Sequence, residues 1–219
     1  MKNLKIKFCN FELEYTNKDK EYIDNVVQIL NDKSEEVMNF FELNNLSRKV
    51  KIKFWDNVEE YRNFFNKSLK KYNKMIPDWE VARATNTLNE CRIDILSLGE
   101  ARKCRGHAND SVENLIQIIV HEFVHICHFE YNNHTSTMIW FMEALATNLA
   151  GQNNCKKLTC TLQEIMTEMP TNYGNYYLLG KYLLENYDKS QVLELAKNKE
   201  LLEKSTEDIY NNTLKSIEE

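Results

Sequence analysis

The segment Leu115-Ile116-Gln117-Ile118-Ile119-Val120-His121-Glu122-Phe123-Val124-His125-Ile126 places two imidazoles and a carboxylate inside an otherwise apolar run. A helix advances about 3.6 residues per turn, so His121 and His125 stand almost above one another and can share one tetrahedral metal. Glu122 then lies beside that metal, where a carboxylate can take a proton from a metal-bound water. An ordinary amphipathic helix explains these residues poorly. Imidazoles and a carboxylate are costly to bury in so apolar a helix unless each finds a partner, and a zinc ion partners both imidazoles at once.

A catalytic zinc keeps three protein ligands and one open position, so a third donor is required. Glu143 is the candidate. It lies eighteen residues beyond His125 in Trp140-Phe141-Met142-Glu143-Ala144-Leu145-Ala146, a second expected helix that a turn around Asn132 to His134 folds back antiparallel to the first. Trp140, Phe141, Met142, Leu145 and Leu149 make that helix apolar all round, which disfavours an unpaired carboxylate there. His128 competes for the metal because it falls seven residues after His121, although one helix supplying all three donors needs a bend. His134 does not fit the H-E-x-x-H-x-x-G-x-x-H spacing, and no glycine occupies the required turn.

His121 to His125, followed at this distance by Trp140, Glu143 and Ala146 as W-x-x-E-x-x-A, resembles the gluzincin metallopeptidases, most closely the peptidase MA-like domains. Lys51 to Tyr61 is similar to the strand and helix entry of those domains and Tyr173 to Tyr187 to their later helix, so the likeness covers most of residues 50 to 198. The resemblance implies a zincin-like fold, a zinc ion held by His121, His125 and Glu143, and peptide hydrolysis with Glu122 as general base. It also implies an oxyanion-stabilising tyrosine at Tyr173, with Tyr177 the next choice; a phenol there complements charge developing on the carbonyl oxygen. Departures are visible. Ala144 stands where the family often has glycine, and Thr147 and Asn148 occupy the turn where related enzymes carry an acidic partner for a zinc histidine. The G-A-M-E-N motif that grips a free amino terminus is absent, so exopeptidase activity gains no support.

Composition narrows the alternatives. A chain of 219 residues, 42% hydrophobic and 28% charged, suits a folded protein of one large domain or two lobes sharing a core. Its net charge of -5 comes from interspersed Lys, Glu and Asp, so no basic face points to nucleic acid. Met1 to Phe8 alternates charge with apolar residues and lacks the unbroken apolar core of a signal peptide, and no later run is long enough to span a bilayer. A cytoplasmic location without membrane attachment is the expectation. Six scattered cysteines fit it as free thiols. The competing reading, a structural zinc on Cys104, His107, Cys155 and Cys160, lacks the C-x-x-C spacing of a zinc knuckle.

Working outward along the chain, the first half alternates strand and helix. Leu4, Ile6, Phe8 and then Phe11, Leu13, Tyr15 recur with period two around Asn10, which predicts a hairpin or a bent strand. Asn17 caps an expected helix over Lys18 to Leu43, and Val50-Lys51-Ile52-Lys53-Phe54 is an alternating strand. Asp56 or Asn57 caps a helix whose apolar stripe is Val58, Tyr61, Phe64, Phe65 and Leu69, and Pro77 ends that unit. Extended segments are expected near Val81 to Leu88 and Cys91 to Leu98. Beyond Ser111 only helices are expected, near 111 to 131, 136 to 150, 161 to 168, 173 to 187 and 190 to 217, the last with a break.

The expected fold is therefore α+β: an N-terminal lobe over 1 to 110 with a small mixed sheet and helices, and an all-helical lobe over 111 to 219. The metal site is expected in the cleft between them. The expected function is zinc-dependent hydrolysis of a peptide or protein substrate. Two alternatives belong to other classes: a zinc-binding module that does not cut, and a helical interaction protein whose histidines are fortuitous.

Overall fold

Lys5 and Lys7, Glu12 and Glu14, and Lys51 and Lys53 each occupy alternate positions of an extended segment, and their charges interlock across the sheet they build. In the computed structural model, which describes residues 4–87, 90–133, 135, 137–152, 155–167 and 173–218, β1 (Leu4–Phe8) and β2 (Phe11–Tyr15) form an antiparallel hairpin. Lys5 faces Glu14 and Lys7 faces Glu12. β3 (Val50–Trp55) runs parallel to β2 and sets Lys51 and Lys53 opposite Glu12 and Glu14. Slipping any strand by one residue would turn these charges into the core, so the pattern specifies register.

Two further strands complete a five-stranded mixed sheet of order β1-β2-β3-β5-β4. β5 (Cys91–Leu96) is parallel to β3, and β4 (Ala82–Asn86) is antiparallel to β5 at the edge. The expected α+β class is the observed one, with the mixed sheet confined to the first half. Leu88, Ser136 and Glu168, the outer ends of three expected segments, lie outside the described residues.

One face of the sheet is apolar: Phe11, Leu13, Val50, Ile52, Ile93 and Ile95 are all fully buried. Phe11 meets Phe123 of α4 (Val112–Tyr131) with ring centroids 5.1 Å apart, which puts the metal-motif helix on this face. α2 (Val58–Leu69) is capped by Asn57, whose side chain accepts from the Glu59 and Glu60 amides, and it buries Tyr61 and Phe65. Phe64, expected in the same stripe, is instead 42% exposed. It lies against Trp55 at 5.2 Å and under the Arg92 guanidinium, one helical step off the buried line.

Asp94 on β5 is fully buried, accepting from the Trp55 indole at 2.8 Å and lying 2.6 Å from Arg92 Nε. Burial pushes its carboxyl above the ordinary aspartate range, with Trp55 and Arg92 pulling the other way. A raised value in the folded state favours the protonated form. This group's contribution to stability is therefore full below about pH 4 and is lost as pH rises through the folded value. Asp94→Asn keeps an oxygen for Trp55 and cannot ionise. Its melting temperature relative to the native chain is expected to be higher at pH 7 than at pH 4, and an equal difference at both would refute the assignment.

α1 spans Ile23–Phe40, shorter at both ends than expected. The Asp19 carboxylate accepts from the amide and hydroxyl of Thr16 and from the Tyr22 hydroxyl, holding residues 17–22 in turns, so Asn17 does not cap the helix. Glu42, at φ 56, closes the other end.

Beyond β5 come the single-turn α3 (Leu98–Ala101), α4, α5 (Ile139–Leu149), α6 (Leu162–Met166), α7 (Tyr173–Asn186), α8 (Lys189–Lys197) and α9 (Lys199–Glu218). The last two are the expected long helix broken at Asn198. Two compact units emerge. One comprises Met1–Glu35 and Leu46–Ile126, the other Glu36–Asn45 and Cys127–Glu219. Among the described residues no helix is long and apolar enough to cross a membrane.

Candidate metal centre

α4 starts where Ser111 and Asn114 bond reciprocally, the Ser111 hydroxyl accepting from the Asn114 amide and the Asn114 side chain accepting from the Ser111 amide. Leu115, Ile116, Ile119, Val120, Phe123, Val124, Ile126 and Cys127 are each at most 2% exposed. Apolar packing on nearly all sides fixes the helix and the rotamers it carries. His121 and His125 are 4% and 9% exposed, with their Nε2 atoms 3.1 Å apart and their rings nearly perpendicular. Two imidazole nitrogens on one tetrahedral zinc stand about 3.3 Å apart, given bonds near 2.05 Å. The 3.1 Å spacing is also that of a direct imidazole–imidazole hydrogen bond.

Glu143 on α5 supplies the third donor. The ligand atoms of His121, His125 and Glu143 all lie within 4.8 Å of one another, a group of two imidazoles and a carboxylate that can hold a metal ion. Two imidazoles and one carboxylate are a donor set that divalent transition metals accept. Among the described residues it is the group of at least three such side chains that comes together.

α5 is held by α7. Asn148 Nδ2 donates to Ala144 O at 2.8 Å on its own helix and to Tyr177 O at 3.0 Å on α7. Gly180 permits the approach. A Cβ there would sit 2.3 Å from Asn148 Nδ2 and 2.4 Å from Ala144 O. Asn148 thus joins two helices, and Thr147 is buried at 2% with no hydrogen-bond partner for its hydroxyl among the described residues. Ala144, immediately after Glu143, is fully buried.

Glu122 is half-buried, and its Oε2 accepts from the Ala84 amide of β4 at 2.7 Å. Its charge is felt by Tyr61, Glu80 and Arg83. Burial outweighs the Arg83 pairing and leaves the Glu80 carboxyl above the usual glutamate range. None of these neighbours carries a sequence signal of its own, and a backbone amide cannot carry one.

The competing ligands are engaged elsewhere. His128 is 1% exposed, stacked on Phe41 at 5.6 Å and edge-on to Phe141, with Nε2 3.4 Å from Ala196 O. His134 lies outside the described residues. His107 bonds Asp110 at 2.7 Å and Trp79 O at 3.1 Å. All six cysteines are free thiols. Burial raises the Cys104 thiol and pushes Cys160 up to about 11.

Tyr173 is the first residue of α7, 44% exposed, its ring edge-on to Tyr176 at 6.0 Å. Tyr177 is half-buried, and its carbonyl is the one that Asn148 binds. No protein-family model, curated protein or solved structure matches this chain.

Proposed function

We propose that the chain is a zinc metallopeptidase of the gluzincin type with a zincin-like arrangement, acting on a peptide or protein substrate. The convergence of His121, His125 and Glu143 with Glu122 adjacent on α4 carries this reading. The donor chemistry favours zinc, two imidazoles and one carboxylate being suited to it. Zinc at such a site lowers the pKa of its water to about 7 and polarises a carbonyl. Glu122 accepts the proton of the attacking water and delivers it to the leaving amine. Tyr173 is assigned to donate its hydroxyl to the developing oxyanion. Six free thiols support a cytoplasmic setting.

Protein purified without added metal is expected to carry about one zinc per chain. It is expected to cleave members of a mixed peptide library, to stop on chelation and to recover when zinc is restored. Zinc without cleavage would mean a binding module; neither zinc nor cleavage would leave only an interaction protein.

A further inference from the structure

β4 lies at the sheet edge, and among the described residues it pairs only with β5. In an antiparallel ladder, alternate residues turn their amide and carbonyl away from the partner strand. Thr87 and Glu90 exchange backbone hydrogen bonds, and Leu96 N donates to Val81 O at 2.9 Å, so positions 81, 83, 85 and 87 face β5. Ala82, Ala84 and Asn86 therefore present their amides to the open edge. At Ala84 that amide is engaged with Glu122 Oε2.

The chain beside this amide is anchored from the other direction. Arg83 forms a two-pronged pair with Glu80 at 2.9 and 2.7 Å, and the Tyr61 hydroxyl donates to Glu80 Oε1 at 3.3 Å. Tyr61 is fully buried and the Glu80 side chain is 12% exposed. The pair is partly buried, with the Arg83 side chain 33% exposed, so it adds little net stability; its two parallel bonds nevertheless define one geometry. Here the favoured geometry is the entry of β4.

We propose that the Ala84 amide is a positioning group for Glu122, and that the Tyr61, Glu80 and Arg83 set fixes the strand that carries it. The proposal rests on the reading of Glu122 as general base. With Oε2 tied to the amide, carboxylate rotation is arrested and Oε1 is left to meet the proton. Orientation of this kind acts on kcat and leaves substrate affinity alone.

The test uses the full chain loaded with zinc. In isotope-labelled protein, Glu122→Ala is expected to speed hydrogen exchange of the Ala84 amide at least about tenfold, with zinc content and Thr85 exchange unchanged. Replacing Ala84 by lactic acid, which swaps the amide for an ester and keeps the methyl, is expected to lower kcat about ten- to a hundredfold at constant KM. The same replacement at Ala82 leaves kcat unchanged. Unaltered Ala84 exchange in Glu122→Ala overturns the proposal, as does equal kcat in the two ester proteins. Failure of the native protein to hydrolyse any peptide overturns the peptidase reading alone, because the exchange measurement still decides the contact.

Discussion

If the chain is the proposed zinc peptidase, Glu122→Gln is expected to leave zinc at its native occupancy and to lower kcat for peptide hydrolysis by about 10²–10⁴-fold, the loss that follows when a positioned base is removed. The substitution is almost isosteric, and its amide oxygen can still accept from Ala84, which lies 2.7 Å from the native carboxylate. Fold and metal are therefore conserved while the ability to take a proton is lost. KM stays near the native value because Glu122 is not assigned to binding. Two measurements made on one preparation, zinc by elemental analysis and kcat by peptide cleavage, read the two roles separately. Native kcat in this variant would remove Glu122 from the mechanism, and loss of zinc would show that it supports the ligands instead.

Gly180→Ala is expected to destabilise the chain by about 1–3 kcal/mol, a fall in Tm on the order of 2–12 °C. The added carbon would lie 2.4 Å from Ala144 O and 2.8 Å from Ala144 C, backbone atoms that cannot swing aside. Asn148 Nδ2, at 2.3 Å, could rotate away only by abandoning Ala144 O and Tyr177 O. Relief requires α5 and α7 to separate. Ala144 follows Glu143 directly, so the same displacement is expected to weaken zinc affinity, read by competition with a chromophoric chelator. Gly99→Ala is the matched control, since a Cβ there meets nothing within 4 Å. Loss of stability with unchanged zinc affinity would mean that Glu143 does not depend on this helix contact.

Much of the architecture was legible because each element obeys one period. The alternation of Lys, Glu and apolar residues announced β1, β2 and β3, and the helices beyond Ser111 fall close to their expected bounds. The start of α1 was illegible because Lys18 to Tyr22 has helical composition, and only the folded chain shows the Asp19 carboxylate binding Thr16 and Tyr22 instead. The expected metal trio comes together because two of its members need only helical spacing. Glu143 needed a second helix to return, which the expected turn around Asn132 to His134 suggested, while the apolar residues around it argued against an unpaired carboxylate.

Other parts of the site have no sequence signature. The Ala84 contact uses a main-chain amide, which every residue except proline possesses. Gly180 looks like an ordinary helix-weakening glycine until α5 is seen lying against it. Asn148 reads from sequence as a possible neighbour of a zinc ligand, yet its side chain joins α5 to α7. Side-chain type constrains chemistry, while three-dimensional adjacency decides use.

The division of the chain has a consequence for the order in which it is made. Each unit is assembled from two separate stretches, and the first is incomplete until Ile126 has been added. During synthesis, the hairpin and all five strands leave the ribosome well before the helix that Phe123 presses onto Phe11. The residues that finish this unit are the ones that carry the metal motif. A nascent chain arrested before His121 thus lacks both Phe123, which closes its core, and the first candidate metal ligand, and truncation cannot separate the two losses.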